Sequence, residues 1–252
     1  MMKSSVAIIL IIFMTQIMLS CNQREKLFSE AEKKTHSAVT PVEQSNPEVT
    51  GWWGPRHDAI NARLAEGNAD LLFIGNSITH CYESAGITVW NAYYAHRNAV
   101  NMGCGWDRTQ HLLWRLDHTD FSHVHPKLAI LLIGTNNCDG DLNTPEEIAD
   151  GIILNCKRLR EKLPGTKILL LAIFPRDSLP SPVRAKAAEA SLLASRIADG
   201  NMITYMDIGS IFLGDGGRIS PEIMPDYLHP NEAGYRLWAE AIEPKVKELL
   251  GG

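Results

Sequence analysis

From residue 51 onward, short apolar runs alternate with longer stretches of mixed polarity. The runs are Leu71–Ile74, Ala99–Met102, Leu128–Ile133, Ile168–Ile173 and Ile203–Met206. Each is nearly continuous in apolar residues rather than alternating, the pattern of a strand covered on both faces in a parallel sheet. The intervening segments Thr109–Leu116, Pro145–Leu163, Val183–Ala198 and Glu232–Leu250 read as helices. Thr144 stands as N-cap before Pro145 at the first helical position, and Ile148, Ile152, Leu159 and Leu163 follow at helical spacing. Strands alternating with helices predict an α/β fold with right-handed crossovers. With no internal repeat and no compositional break, residues 51–252 read as one domain.

The N-terminus follows a different pattern. After Met1-Met2-Lys3, Val6–Leu19 is apolar except around Thr15 and Gln16, the length of a signal-peptide core rather than a bilayer span. It ends in Met18-Leu19-Ser20-Cys21, which resembles a bacterial lipobox, although Met18 replaces the usual Leu and Leu19 is large for its place. Residues 1–21 are therefore expected to be a signal peptide with Cys21 lipidated, the alternatives being plain secretion or an uncleaved anchor. Two acyl chains at Cys21 would give stable membrane attachment. Residues 22–50, rich in Glu, Lys, Ser, Thr, Gln and Pro, are expected to form a flexible polar tether with at most a transient helix over Glu25–Lys34. The expected location is exported, periplasmic or at the cell surface.

Charge and cysteine content narrow the function. The formal net charge is −5 and no long Lys/Arg run is present, which argues against nucleic acid as a partner. Cys81, Cys104, Cys138 and Cys156 show no C-x-x-C or His-rich spacing for zinc. An exported compartment would allow disulfides, and free buried thiols are an equal reading.

Three motifs can carry chemistry, the first two at strand ends. Gly75-Asn76-Ser77 ends the first run, placing Ser77 where open α/β sheets bind ligands, either as a nucleophile or as a helix N-cap. Gly134-Thr135-Asn136-Asn137 ends the third run on the same sheet edge, where an Asn amide can donate to a developing oxyanion or hold a turn. Asp226 stands three residues before His229, and Pro230 biases His229 to an extended backbone, so the carboxylate can reach Nδ1 and leave Nε2 as a general base. The loop Asn101–Gln110, rich in Gly, lacks the Gly-Lys-Ser/Thr and Gly-x-Gly-x-x-Gly spacings of nucleotide sites.

Taken in order, Gly75-Asn76-Ser77, the Gly105–Thr109 loop, Gly134-Thr135-Asn136-Asn137 and Asp226-x-x-His229-Pro230 resemble the SGNH (GDSL) hydrolases. Thr109–Leu116, Pro126-Lys127 and Asp226–His229 are similar to the catalytic subunits of platelet-activating-factor acetylhydrolase and their bacterial relatives. The resemblance spans residues 51–250. It implies a flavodoxin-like three-layer α/β/α sandwich around a parallel sheet of about five strands. It further implies Ser77 as nucleophile, His229 as base, Asp226 as its orienting group, and an oxyanion hole from the N–H of Ser77, the N–H of Trp106 and the amide of Asn136. Trp106 stands where the family usually has Gly, and Asn76 where it usually has Asp. No metal or organic cofactor is implied, and a homodimer is compatible with the related subunits. The function expected is a serine esterase acting on short, above all acetyl, oxygen esters of carbohydrates. The alternatives are a phospholipid or lysophospholipid acylhydrolase, or a non-catalytic glycan-binding lipoprotein. Trp52, Trp53, Trp90 and Trp114 are read mainly as packing residues, Arg108 and Arg115 as ion-pair partners of Asp107 or Asp117, and Pro175-Arg176-Asp177 as a border of the pocket without a role.

Overall fold

The computed structural model describes residues 22–251. The expected signal peptide over residues 1–21, with Cys21, lies outside the described residues. Five parallel strands, β1 (Leu71–Gly75), β2 (Ala99–Gly103), β3 (Leu128–Leu132), β4 (Lys167–Leu171) and β5 (Ile203–Met206), stand in the order β2-β1-β3-β4-β5. The strands expected from the apolar runs are all present, with ends shifted by no more than two residues. The chain winds outward from β1 in one direction to β2 and in the other to β3, β4 and β5. The winding reverses between β1 and β3, so the crevice at their carboxyl ends is the switch point where such sheets bind ligands. The register sets Gly75 beside Gly103 on one side and Leu132 on the other, bringing the loops after β1, β2 and β3 to one edge.

Alternate residues of each strand face two cores. Leu72, Ile74, Met102, Leu131 and Leu170 pack under α5 (Thr109–Asp117), α6 (Pro145–Lys162) and α7 (Pro182–Ala194). Leu71, Phe73, Ile130 and Leu169 pack under α4 (Ile87–Tyr93) and α8 (Glu232–Leu250), against Trp90, Tyr235 and Trp238. This is a three-layer α/β/α sandwich. Thr144 caps α6 through a reciprocal pair with Glu147, with Pro145 at the first position as the sequence predicts. α2 (Thr50–Ala65) was not expected; it contains Gly51, Gly54 and Pro55, and burial of Trp53, Ile60 and Leu64 outweighs their low helix propensity.

The reading of residues 22–50 as a flexible tether is corrected by the structure. Residues 22–32 form a helix, α1, whose Phe28 and Ala31 are buried in the first core. Arg24 pairs with Asp199, and Glu32 lies 2.9 Å from Lys157. Residues 36–49 then run over the domain as a strap: Thr109 Oγ1 donates to the Ala38 carbonyl at 2.8 Å and the Val42 N–H donates to the Gln110 carbonyl at 3.3 Å. A few apolar residues at helical spacing suffice to dock a polar helix, a signal that average composition conceals.

Candidate active site

Ser77 opens α3 (Ser77–His80), one turn packed down on the ends of β1 and β2. That approach needs glycine in both strands. A Cβ on Gly75 would lie 2.4 Å from Thr79 Oγ1, and one on Gly103 would lie 2.3 Å from the His80 nitrogen. Asn76 caps the turn, its Oδ1 accepting from the Ile78 N–H at 3.0 Å. Within the second core, Tyr235 Oη on α8 donates to the Ile78 carbonyl at 2.7 Å. The Ser77 side chain is thereby held at the rim of the switch-point crevice.

Asp226 and His229 come from the loop before α8. Tyr227 takes a left-handed turn at φ +60°, and Asp226 Oδ1 accepts from the N–H groups of Leu228 at 3.0 Å and His229 at 2.7 Å. This local turn swings the imidazole back so that His229 Nδ1 lies 2.6 Å from Asp226 Oδ2. His229 Nε2 lies 2.8 Å from Ser77 Oγ. A carboxylate only accepts, so Nδ1 carries the proton and Nε2 accepts from the serine hydroxyl. Desolvation works to raise the Asp226 carboxyl, but the N–H groups of His229 and Leu228 outweigh it and hold the group below its ordinary range.

The loop after β2 supplies the facing wall. Trp106 has φ +67°, a conformation that side chains other than Gly rarely adopt, and its indole is 52% exposed. Asp107 beside it is fully buried. Trp53 Nε1 donates to its Oδ1 at 2.6 Å, and Arg115 Nε donates to its Oδ2 at 2.7 Å. Burial pushes the Asp107 carboxyl up to about 6 against the pull of Arg115 and the indole, leaving it ionised at neutral pH. Arg115, equally buried, also donates to the Gly75 carbonyl at 3.3 Å, tying this wall to the strand that carries Ser77. Asn136 Nδ2 donates to the Asp107 carbonyl at 2.9 Å with one of its two hydrogens. Among the described residues, neither the N–H of Ser77 nor that of Trp106 is engaged in a hydrogen bond.

The expected catalytic and oxyanion residues Ser77, Trp106, Asn136, Asp226 and His229 thus lie at one sheet edge, with Ser77, His229 and Asp226 in one hydrogen-bonded chain. Asn137 is instead structural, its amide shared among Thr109, Gln110 and Asn143. Of the tryptophans, Trp53 and Trp90 are buried, while Trp52 remains 37% exposed and its ring closes on Gly105. Arg176, given no role from sequence, ties the Thr135 carbonyl at 3.3 Å to Asp139 at 2.8 Å and so braces the Asn136 loop. The buried pairing of Asp107 with Arg115 was one of several pairings the sequence allowed. Cys81, Cys104, Cys138 and Cys156 are free.

The chain matches the model of the GDSL-like lipase/acylhydrolase family over residues 73–237. It is 29% identical over 220 residues to human platelet-activating factor acetylhydrolase IB subunit alpha1, covering 87% of this chain and 92% of that one. It is 30% identical over 199 residues to the rat alpha2 subunit, covering 79% and 85%. Among solved structures it superposes on a GDSL-like lipase from Bacteroides thetaiotaomicron with a TM-score of 0.60 at 19% identity, covering 77% of this chain and 97% of that one. A mutant acetylxylan esterase from Geobacillus stearothermophilus gives 0.56 at 20% identity, covering 74% and 95%. By family model and by full-length relatives, the chain belongs to the GDSL-like lipase/acylhydrolase family and is an ester hydrolase of the SGNH type.

Proposed function

We propose that the chain is a serine esterase that removes short acyl groups, acetyl above all, from oxygen esters of carbohydrates. The observation that carries this reading is the chain Ser77–His229–Asp226, with contacts of 2.8 and 2.6 Å at the switch point of the sheet. Ser77 Oγ attacks the ester carbonyl as His229 Nε2 takes its proton. Asp226 holds the tautomer and stabilises the imidazolium. The oxyanion is received by the N–H groups of Ser77 and Trp106 and the second amide hydrogen of Asn136, each such donor being worth about 3 kcal/mol of barrier. His229 then protonates the leaving alcohol, and the acyl-enzyme is hydrolysed by water with the same base.

A carbohydrate substrate is favoured by the rim. Trp106 and Trp52 are both partly exposed beside Gly105, Trp106 as its chain neighbour and Trp52 with its ring against the glycine, an aromatic surface suited to the C–H face of a sugar ring. The name of the acetylxylan esterase neighbour points the same way. A second reading, a phospholipid acylhydrolase, is favoured by the names of the mammalian relatives. For location we propose export and lipid attachment at Cys21, which fatty-acid labelling of the parent and a Cys21→Ser variant would test.

The deciding experiment is hydrolysis of p-nitrophenyl acetate, butyrate and octanoate by the parent and Ser77→Ala, followed by acetylated xylan and a short-chain phospholipid. Serine-dependent turnover that falls with chain length and extends to acetylated xylan is the expected result. Turnover of the phospholipid alone would favour the second reading. Glycan binding without any serine-dependent turnover would make the protein a binding lipoprotein instead.

A further inference from the structure

We propose that Gln44, in the N-terminal strap, is a positioning residue for the oxyanion loop. The inference rests on the esterase reading, in which the Trp106 N–H is a donor to the oxyanion.

Gln44 is only 9% exposed although it comes from a polar segment outside the family match. Its side chain is used at both ends. Oε1 accepts from the N–H groups of Ser45 and Asn46, both at 3.1 Å, which fixes the amide in the strap. Nε2 then faces the Trp106 carbonyl at 3.4 Å and His111 Nδ1 at 3.2 Å. Burial and the charge of Arg108 hold His111 down to about 4, so its ring is neutral and Nδ1 is an acceptor; it also receives the Arg108 N–H at 3.2 Å. The amide of Gln44 therefore sits between the two ends of the loop, at Trp106 and at the start of α5.

The loop needs such a restraint. A left-handed backbone at a residue other than Gly costs about 1–2 kcal/mol and persists only where its surroundings impose it. The Asp107 side chain is held by Trp53 and Arg115, and its carbonyl by Asn136. The Trp106 carbonyl is held by Gln44. The strap carrying Gln44 is itself docked by Thr109 on the Ala38 carbonyl and by Asn143 Nδ2 on Ser37 Oγ at 3.0 Å. A segment remote in sequence from the nucleophile thus sets the aim of one oxyanion donor.

Two variants of the full chain, in mild detergent, separate aiming from folding. Gln44→Met keeps the length and removes both polar ends. Gln44→Glu keeps the acceptor for Ser45 and Asn46 but loses the donor whenever the carboxyl is ionised. For p-nitrophenyl acetate, Gln44→Met is expected to lower kcat about tenfold with KM within about twofold, a fraction of what deleting a donor costs. Gln44→Glu should show the same loss at pH 8 and recover relative to the parent as pH falls and its carboxyl regains a proton to donate. Hydrogen exchange across 103–108 should be faster in Gln44→Met, a readout that needs no turnover. An unchanged kcat in both variants, or unchanged exchange in this loop, would overturn the proposal. If the parent and Ser77→Ala hydrolyse equally, the esterase reading fails, and the exchange measurement alone decides whether Gln44 holds the loop.

Discussion

Replacing Asp226 by Asn should remove most turnover while leaving the fold in place, because of a shortage of acceptors. The carboxylate accepts from the N–H groups of Leu228 and His229 through Oδ1 and from His229 Nδ1 through Oδ2. Asparagine has one acceptor oxygen. Turned to keep the two backbone bonds, it presents its NH2 to Nδ1; turned to keep the imidazole, it sets that NH2 against two N–H groups. The first arrangement loses fewer bonds and prevails. His229 then carries its proton on Nε2, facing Ser77 Oγ, and cannot take another. Recovering the productive tautomer forgoes a hydrogen bond to a charged acceptor, roughly 2 kcal/mol. The imidazolium formed in the transition state also loses its carboxylate, about 1–4 kcal/mol for a pair some 4 Å apart between bulk-water and near-surface screening. The Asp226 side chain is 56% exposed, which favours the smaller figure. The sum, about 3–6 kcal/mol and nearer its lower end, is a fall of roughly two to four orders of magnitude in kcat/KM. The assay is p-nitrophenyl acetate hydrolysis beside a thermal melt. A variant that melts like the parent and keeps more than about a third of its kcat/KM would refute this account of how His229 is oriented.

Asp107→Asn and Arg115→Met should both be strongly destabilising in urea denaturation. Each leaves its partner's charge fully buried without a counter-ion, at a cost of about 3–5 kcal/mol. Gly103→Ala should fail to give soluble protein in an expression trial, because the added methyl meets the His80 backbone at 2.3 Å. Phe28→Ala should lower stability by about 3 kcal/mol in the same urea titration, a loss that a loose tether would not show. Stability should also fall with acid. His57 and His111 are each held down to about 4 by burial, so the unfolded chain binds protons that the native one refuses. That stabilisation is complete above the unfolded value near 6.5 and drains away as pH falls toward 4, at about 2 kcal/mol per histidine between pH 6.5 and 5. Urea midpoints at pH 7 and 5, repeated with His57→Gln, would show a shallower slope in the variant.

What could be read from the sequence was local. Gly75-Asn76-Ser77 declares its place because an apolar run and a turn signal adjoin it, and Asp226 with His229 forms a contact within one turn. Both appear in the structure where the sequence puts them. The choice of Arg115 over other partners for Asp107 was not legible, because it depends on how α5 packs against the loop after β2. Gln44 was invisible for a stronger reason. Its partner Trp106 is 62 residues away, and its own surroundings are as polar as those of a linker. α1 was missed because one Phe and one Ala decide its docking, too few to move an average.

The docking of α1 changes what an anchor at Cys21 would do. A flexible chain over residues 22–50 would let the domain wander about 30 Å on average from its point of attachment. With α1 and the strap laid against the domain from residue 22, that freedom is gone, and the proposed lipids would hold the domain close against the bilayer in a narrow range of orientations. The crevice would then sample a thin layer at the membrane surface. Its natural esters would be those presented within one domain's depth of the lipid, and polymers extending farther would have to bend or diffuse back to be cut.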